Sequence, residues 1–89
     1  MVTRDITIIN KLGLHARAAS KFVTLAARFT AEVRLVRGAR EVNGKSIMGV
    51  MMLAAGKGTQ LKLITDGVDE DDAANALETL IRQRFGEEE

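Results

Sequence analysis

Ile6 and Ile8 alternate with Asp5 and Thr7, a two-residue period that predicts a strand over Thr3–Asn10. The segment Lys11-Leu12-Gly13-Leu14 has no period and reads as a loop. From Ala16 to Phe29 the apolar residues Ala18, Phe22, Leu25 and Phe29 recur at helical spacing, with Ala19 and Ala26 beside them, and predict a helix with one buried stripe. Glu32–Arg37 returns to alternation, with Val33 and Leu35 inward, and after a Gly38-Ala39 turn Arg40–Asn43 pairs back. Ser46 is suited to cap a short helix over Ile47–Leu53. Gly56-Lys57-Gly58 breaks the chain, and Gln60–Thr65 reads as a strand with Leu61 and Leu63 on one face. Asp69 is placed to cap a last helix over Glu70–Arg84, with Ala73, Leu77, Leu80 and Ile81 inward. Its acidic start at Glu70, Asp71 and Asp72, and its basic end at Arg82 and Arg84, both suit the helix dipole.

The order is βαββαβα. One-sided strands and striped helices predict a two-layer α+β domain, a mainly antiparallel sheet with helices on one face. A length of 89 residues fits a single domain over residues 1–89 with a modest core. The acidic end, residues 85–89, is expected to fray.

Composition removes several functions. A net charge of +1 and only three aromatic residues, all phenylalanine, argue against nucleic acid as a ligand. There is no cysteine and a single histidine, so disulfides, thiolate zinc and a histidine metal site lack their ligands. Gly44-Lys45-Ser46 imitates the end of a P-loop, but Ala39 holds the position of its first glycine and no strand-to-long-helix context surrounds it. Neither a metal nor a cofactor is expected. No apolar run approaches the ~20 residues of a membrane span, and the N-terminus lacks a signal core. A soluble, cytoplasmic monomer without membrane insertion is the expectation.

His15 stands just before the first helical residue. The backbone N–H groups of Ala16, Arg17 and Ala18 have no partner inside a helix and form an anion site there. Arg17 adds a guanidinium that can fork onto phosphate oxygens. Gly13, Ala16, Ala18 and Ala19 are small enough to leave room around the imidazole for a macromolecular donor. Neutral imidazole is a competent nucleophile near neutral pH. These residue types in this spacing suit a phosphoryl group carried on His15. A solvated loop histidine, or one simply capping the helix that follows, is the plainer alternative on composition alone.

Three further features stand out. Arg17, Lys21, Thr24 and Arg28 share the helix face opposite the core stripe, either as a solvated face or as a docking face for an acidic partner. Ile47-Met48-Gly49-Val50-Met51-Met52-Leu53 is apolar nearly all round. Ile47, Val50 and one methionine are expected in the core, while Met48, Met51 or Met52 form an adaptable contact patch. Ser46 is a cap first. A phosphate there would leave the helix intact but change the charge beside the methionines.

Gly13-Leu14-His15-Ala16-Arg17-Ala18-Ala19 resembles the active-site motif of the HPr family, phosphocarriers of the bacterial phosphoenolpyruvate–sugar phosphotransferase system. Lys45-Ser46-Ile47-Met48-Gly49-Val50-Met51 resembles that family's second signature, around a regulatory serine. Length and element order agree across nearly the whole chain. The resemblance implies an open-faced β-sandwich of four antiparallel strands with three helices on one side. It implies phosphorylation of His15 on Nδ1 by Enzyme I, charged from phosphoenolpyruvate, and onward transfer to an A component of an enzyme II. Such a protein is a stoichiometric carrier rather than a turnover enzyme. Arg17 carries over as the phosphate-stabilising residue and Ser46 as the target of an HPr kinase/phosphorylase. The alternative within the family is a mainly regulatory binding module with little role in sugar transport. The family usually has proline at the position of Ala18; alanine is a good helix former, so the helix should survive while the loop ahead of it loosens.

Overall fold

Alternating apolar residues can bury only one face of a strand, and pairing must align those faces. In the computed structural model, which describes Met1–Glu89, strands β1 (Val2–Thr7), β2 (Glu32–Arg37), β3 (Arg40–Asn43) and β4 (Gln60–Asp66) lie in the order β1-β4-β2-β3. All three pairings are antiparallel. Ile6 lies opposite Leu61, and Leu35 opposite both Leu63 and Val42. This register gathers Ile6, Val33, Leu35, Leu61 and Leu63 on one face and leaves Thr3, Asp5, Thr7, Gln60 and Lys62 on the other, exposed face.

β4 separates β1 from β2, and β2 separates β4 from β3, so β1 and β2 run parallel without pairing, as do β3 and β4, and each connection is a crossover. Helices α1 (Ala16–Ala26) and α2 (Ile47–Met52) supply the crossovers, and α3 (Glu70–Arg82) follows β4. Their buried side chains, with Phe22, Val50, Leu53 and Leu77 prominent, close one core against the inner face of the sheet. The expected α+β architecture is the one observed.

Several boundaries move. β1 ends at Thr7, not Asn10. Ile8 still donates to the Thr59 carbonyl (2.9 Å) and accepts from the Gly58 N–H (2.7 Å), after which Asn10 turns inward and is wholly buried. α1 ends at Ala26, because the N–H groups of Arg28 and Phe29 reach back only three residues, to the Leu25 and Ala26 carbonyls. Its inner stripe is Ala18, Ala19, Phe22 and Ala26, with Leu25 and Phe29 only partly buried. Around Phe22 that stripe is all alanine, which lets α1 approach its neighbours closely. α2 stops one residue early, with Leu53 as its C-cap, and it buries Val50 but none of its methionines. Ile47 is likewise exposed. In α3, Leu80 is partly buried and Ala74 joins the inner side.

Two end effects are larger. The terminal segment, expected to fray, is docked. A 3-10 turn over Arg84–Gly86 buries Phe85, and the Lys11 N–H donates to the Glu89 carbonyl at 2.6 Å. Phe85 follows Leu77 and Ile81 at four-residue spacing and extends the apolar stripe of α3 past the helix end. Asp69 occupies the N-cap position of α3 but makes no side-chain cap. Its carboxylate instead accepts from the Thr30 N–H (2.8 Å) and the Ala31 N–H (2.7 Å), tying the α1–β2 connection to the start of α3.

The N–H of Thr30, then that of Ala31, hold the Asp69 carboxyl below its usual range, against some desolvation. A depressed folded-state pKa contributes stability that is present above the unfolded value of about 3.9 and is lost as pH falls through the folded value. Asp69→Asn is therefore expected to melt at a lower temperature than wild type at pH 7, with the gap narrowing as the pH of thermal denaturation is taken toward 2.

Candidate functional site

The loop between β1 and α1 is tied at three points. The Asn10 side chain donates to the Gly13 carbonyl (2.9 Å), the Gly13 N–H donates to the Asn10 carbonyl (3.2 Å), and the Leu14 N–H donates to the Ala55 carbonyl (2.9 Å). Gly13 adopts φ +66°, and a Cβ there would lie 2.4 Å from the Ala55 oxygen and 2.7 Å from the Gly56 Cα. Only glycine satisfies both conditions. Its small size thus serves contact with the Ala55–Gly56 backbone rather than space around the imidazole. Ala18 and Ala19 are core residues too, so of the four small residues only Ala16 borders the open side.

His15 follows as the N-cap residue of α1, with extended backbone angles (φ −72°, ψ 177°) and no side-chain cap. Its carbonyl accepts the first helical bond, from the Ala19 N–H at 2.8 Å. The N–H groups of Ala16, Arg17 and Ala18 donate to nothing within the chain, as the first turn of a helix requires. Arg17 is exposed and forms no ion pair, so its charge is available. His15 and Arg17 share an open cleft of about 870 Å³ with Lys11, Leu12 and Glu87.

Glu87, part of the acidic end expected to fray, also enters the site. Its Oε2 lies 2.5 Å from His15 Nε2, and its Oε1 accepts from Asn10 Nδ2 at 2.9 Å. The Asn10 amide, and then His15, hold the Glu87 carboxyl below its ordinary range despite desolvation. The one available signal was Phe85, an apolar residue in register with the α3 stripe that anchors the tail just ahead of Glu87.

The remaining candidates sort by position. Thr24 is exposed on α1 and Arg28 is exposed just beyond its end, so Arg28 leaves the expected helix face, while Lys21 is committed: its Nζ donates to the Phe85 carbonyl at 2.6 Å. Met48, Met51 and Met52 are all exposed, as is Leu12. The Leu14–Ala55 bond brings the segment just after α2 against the His15 loop, so the apolar patch and the histidine border one surface. Ser46 caps α2, its Oγ accepting from the Gly49 N–H at 3.1 Å. No cluster of three or more His, Cys, Asp or Glu side chains could hold a metal ion, and no helix is long and apolar enough to cross a membrane.

Residues 2–83 match the family model PTS-HPr, described as the PTS HPr component phosphorylation site. The chain is 58% identical over 89 residues to the phosphocarrier protein HPr of Cupriavidus necator, covering all of both. Among solved structures it superposes on HPr-C-His from Thermoanaerobacter tengcongensis with a TM-score of 0.96 at 44% identity, covering all of both chains. A structure described as an HPr dimer from the same organism matches with a TM-score of 0.79 at 45% identity, covering 92% of this chain and 94% of that one.

The loop geometry makes Gly13 irreplaceable. Gly13→Ala is expected to lose about 2–4 kcal/mol of unfolding free energy, combining the left-handed backbone with overpacking against Ala55. Urea denaturation checks this, and a loss below about 0.5 kcal/mol, the size of an ordinary surface effect, would contradict it.

Proposed function

The chain belongs to the HPr family, the phosphocarrier proteins of the phosphotransferase system, and on that footing we propose that it carries its phosphoryl group on His15. The observation that carries the proposal is the placement of the only histidine at the N-cap of α1, beside three unpartnered N–H groups and an unpaired Arg17. An imidazole nitrogen attacks phosphorus as the bond to the donor breaks. The N–H groups of Ala16, Arg17 and Ala18 receive the phosphoryl oxygens, and the Arg17 guanidinium offsets charge as the group arrives and leaves.

Enzyme I, charged from phosphoenolpyruvate, is the proposed donor, and the A component of an enzyme II the proposed acceptor. Met48, Met51 and Met52 offer both partners an apolar surface beside the histidine, and Arg17, Lys21, Thr24 and Arg28 the polar one. Lys21 contributes less to docking than its neighbours because its ammonium already holds the tail. We place the protein in the cytoplasm as a monomer. The dimer described for a relative makes sedimentation of this chain the check on that state.

Incubation with phosphoenolpyruvate and Enzyme I is expected to add one acid-labile, alkali-stable phosphate per chain and none to His15→Ala. Phosphate persisting in that variant would overturn the assignment. Arg17→Ala is expected to slow uptake about 10- to 100-fold, the kinetic equivalent of the roughly 1.5–3 kcal/mol of a hydrogen bond to a charged group.

Ser46 is proposed as a second, regulatory phosphorylation site. Its cap to Gly49 sits at the start of the helix that exposes the methionines, so a phosphate there adds negative charge to the docking patch. With ATP and an HPr kinase/phosphorylase, wild type is expected to take up phosphate and Ser46→Ala none. If wild type takes up none either, Ser46 is a helix cap only.

A further inference from the structure

The docked tail places a carboxylate against Nε2 of the His15 ring. We infer that Glu87 is a positioning residue: its carboxylate, gripped by Asn10, fixes the ring proton on Nε2 and so presents the Nδ1 lone pair to phosphorus. This inference rests on the carrier reading of His15.

A neutral imidazole has one N–H and one lone pair, on different nitrogens. An ionised carboxylate can only accept, so at 2.5 Å from Nε2 it requires the proton there. The lone pair is then on Nδ1. The family resemblance implies the same nitrogen, and the contact supplies a physical reason for it within this chain.

Glu87 is held on both oxygens. Oε2 takes the His15 N–H, and Oε1 takes one from Asn10 Nδ2, a wholly buried side chain. The same Asn10 amide nitrogen donates to the Gly13 carbonyl, so the group that shapes the His15 loop also aims the carboxylate. Buried Phe85 and the Lys21–Phe85 bond fix the backbone just before Glu87. With 15% of the Glu87 side chain exposed and 28% of that of His15, the contact is shielded but not sealed.

The chemistry balances without a proton transfer. The Nδ1 lone pair forms the N–P bond, and the electron pair of the donor's bond to phosphorus stays with the donor. Nε2 keeps its hydrogen and the ring becomes cationic. The adjacent Glu87 carboxylate stabilises that cation. On transfer to the acceptor, the N–P electron pair returns to Nδ1 and the ring is neutral again, its proton unmoved.

Two variants separate orientation from charge. Glu87→Gln retains a carbonyl that can accept from Nε2–H but removes the negative charge; Glu87→Ala removes both. Long-range ¹H–¹⁵N spectra at a pH where the ring is neutral are expected to show Nε2–H in wild type and Glu87→Gln. In Glu87→Ala a fraction of Nδ1–H appears and the two ¹⁵N shifts draw together. Phosphate uptake from Enzyme I is expected to slow about ten-fold in Glu87→Ala, the fold-change equivalent to losing one hydrogen bond to a charged group, and less in Glu87→Gln. Both variants should keep cooperative unfolding, since the side chain lies at the rim of the core. Wild type charged on His15 while Glu87→Ala matches it in tautomer and rate would overturn the role of Glu87 alone. Faster uptake in Glu87→Ala would also overturn it and make the tail a shield. Wild type taking up no phosphate would overturn the carrier reading itself.

Discussion

Gly13 is pressed in a left-handed conformation against the Ala55–Gly56 backbone, and the position of His15 follows from that contact. A side chain at 13 would push the loop off the segment that follows α2, and Leu14 would lose its bond to Ala55. The start of α1, its free N–H groups and the histidine would move together. The core beneath, with Phe22 and Leu77 between helices and sheet, fixes α1 as a body; the Gly13 contact fixes where its first turn opens. The helix N-terminus is worth having as an anion site only because this loop leaves it uncovered.

Two kinds of group meet at His15. The Ala16, Arg17 and Ala18 N–H groups and the Arg17 guanidinium are unpaired donors, a set that suits an anion. Against Nε2 lies a single acceptor, Glu87, itself held by Asn10. Lys21 holds the tail through Phe85, which leaves Arg17 as the unpaired cation of α1.

What the sequence disclosed was what local periodicity and capping determine. Ile6, Leu35 and Leu63 alternate because one face is buried, and Ser46 caps because its hydroxyl can reach Gly49 three residues on. His15 before an alanine-rich helix was legible for the same reason. The misreadings share a different cause, dependence on residues far apart in sequence. Asp69 looks like a cap but spends its carboxylate on Thr30 and Ala31, 39 and 38 residues away. Glu87 reads as part of a frayed acidic end, because its partners His15 and Asn10 lie 72 and 77 residues before it. Gly13 reads as clearance for a ligand because Ala55, its real neighbour, is invisible to any local window.

The proposed chemistry turns on one nitrogen of one side chain. ¹⁵N-labelled protein, charged by phosphoenolpyruvate and Enzyme I and held at alkaline pH, can be read by ³¹P and ¹⁵N NMR. A single phosphorus signal coupled to Nδ1 of His15, with Nε2 still protonated, is the predicted result. Phosphorus on Nε2, on another residue, or nowhere on the chain would contradict it.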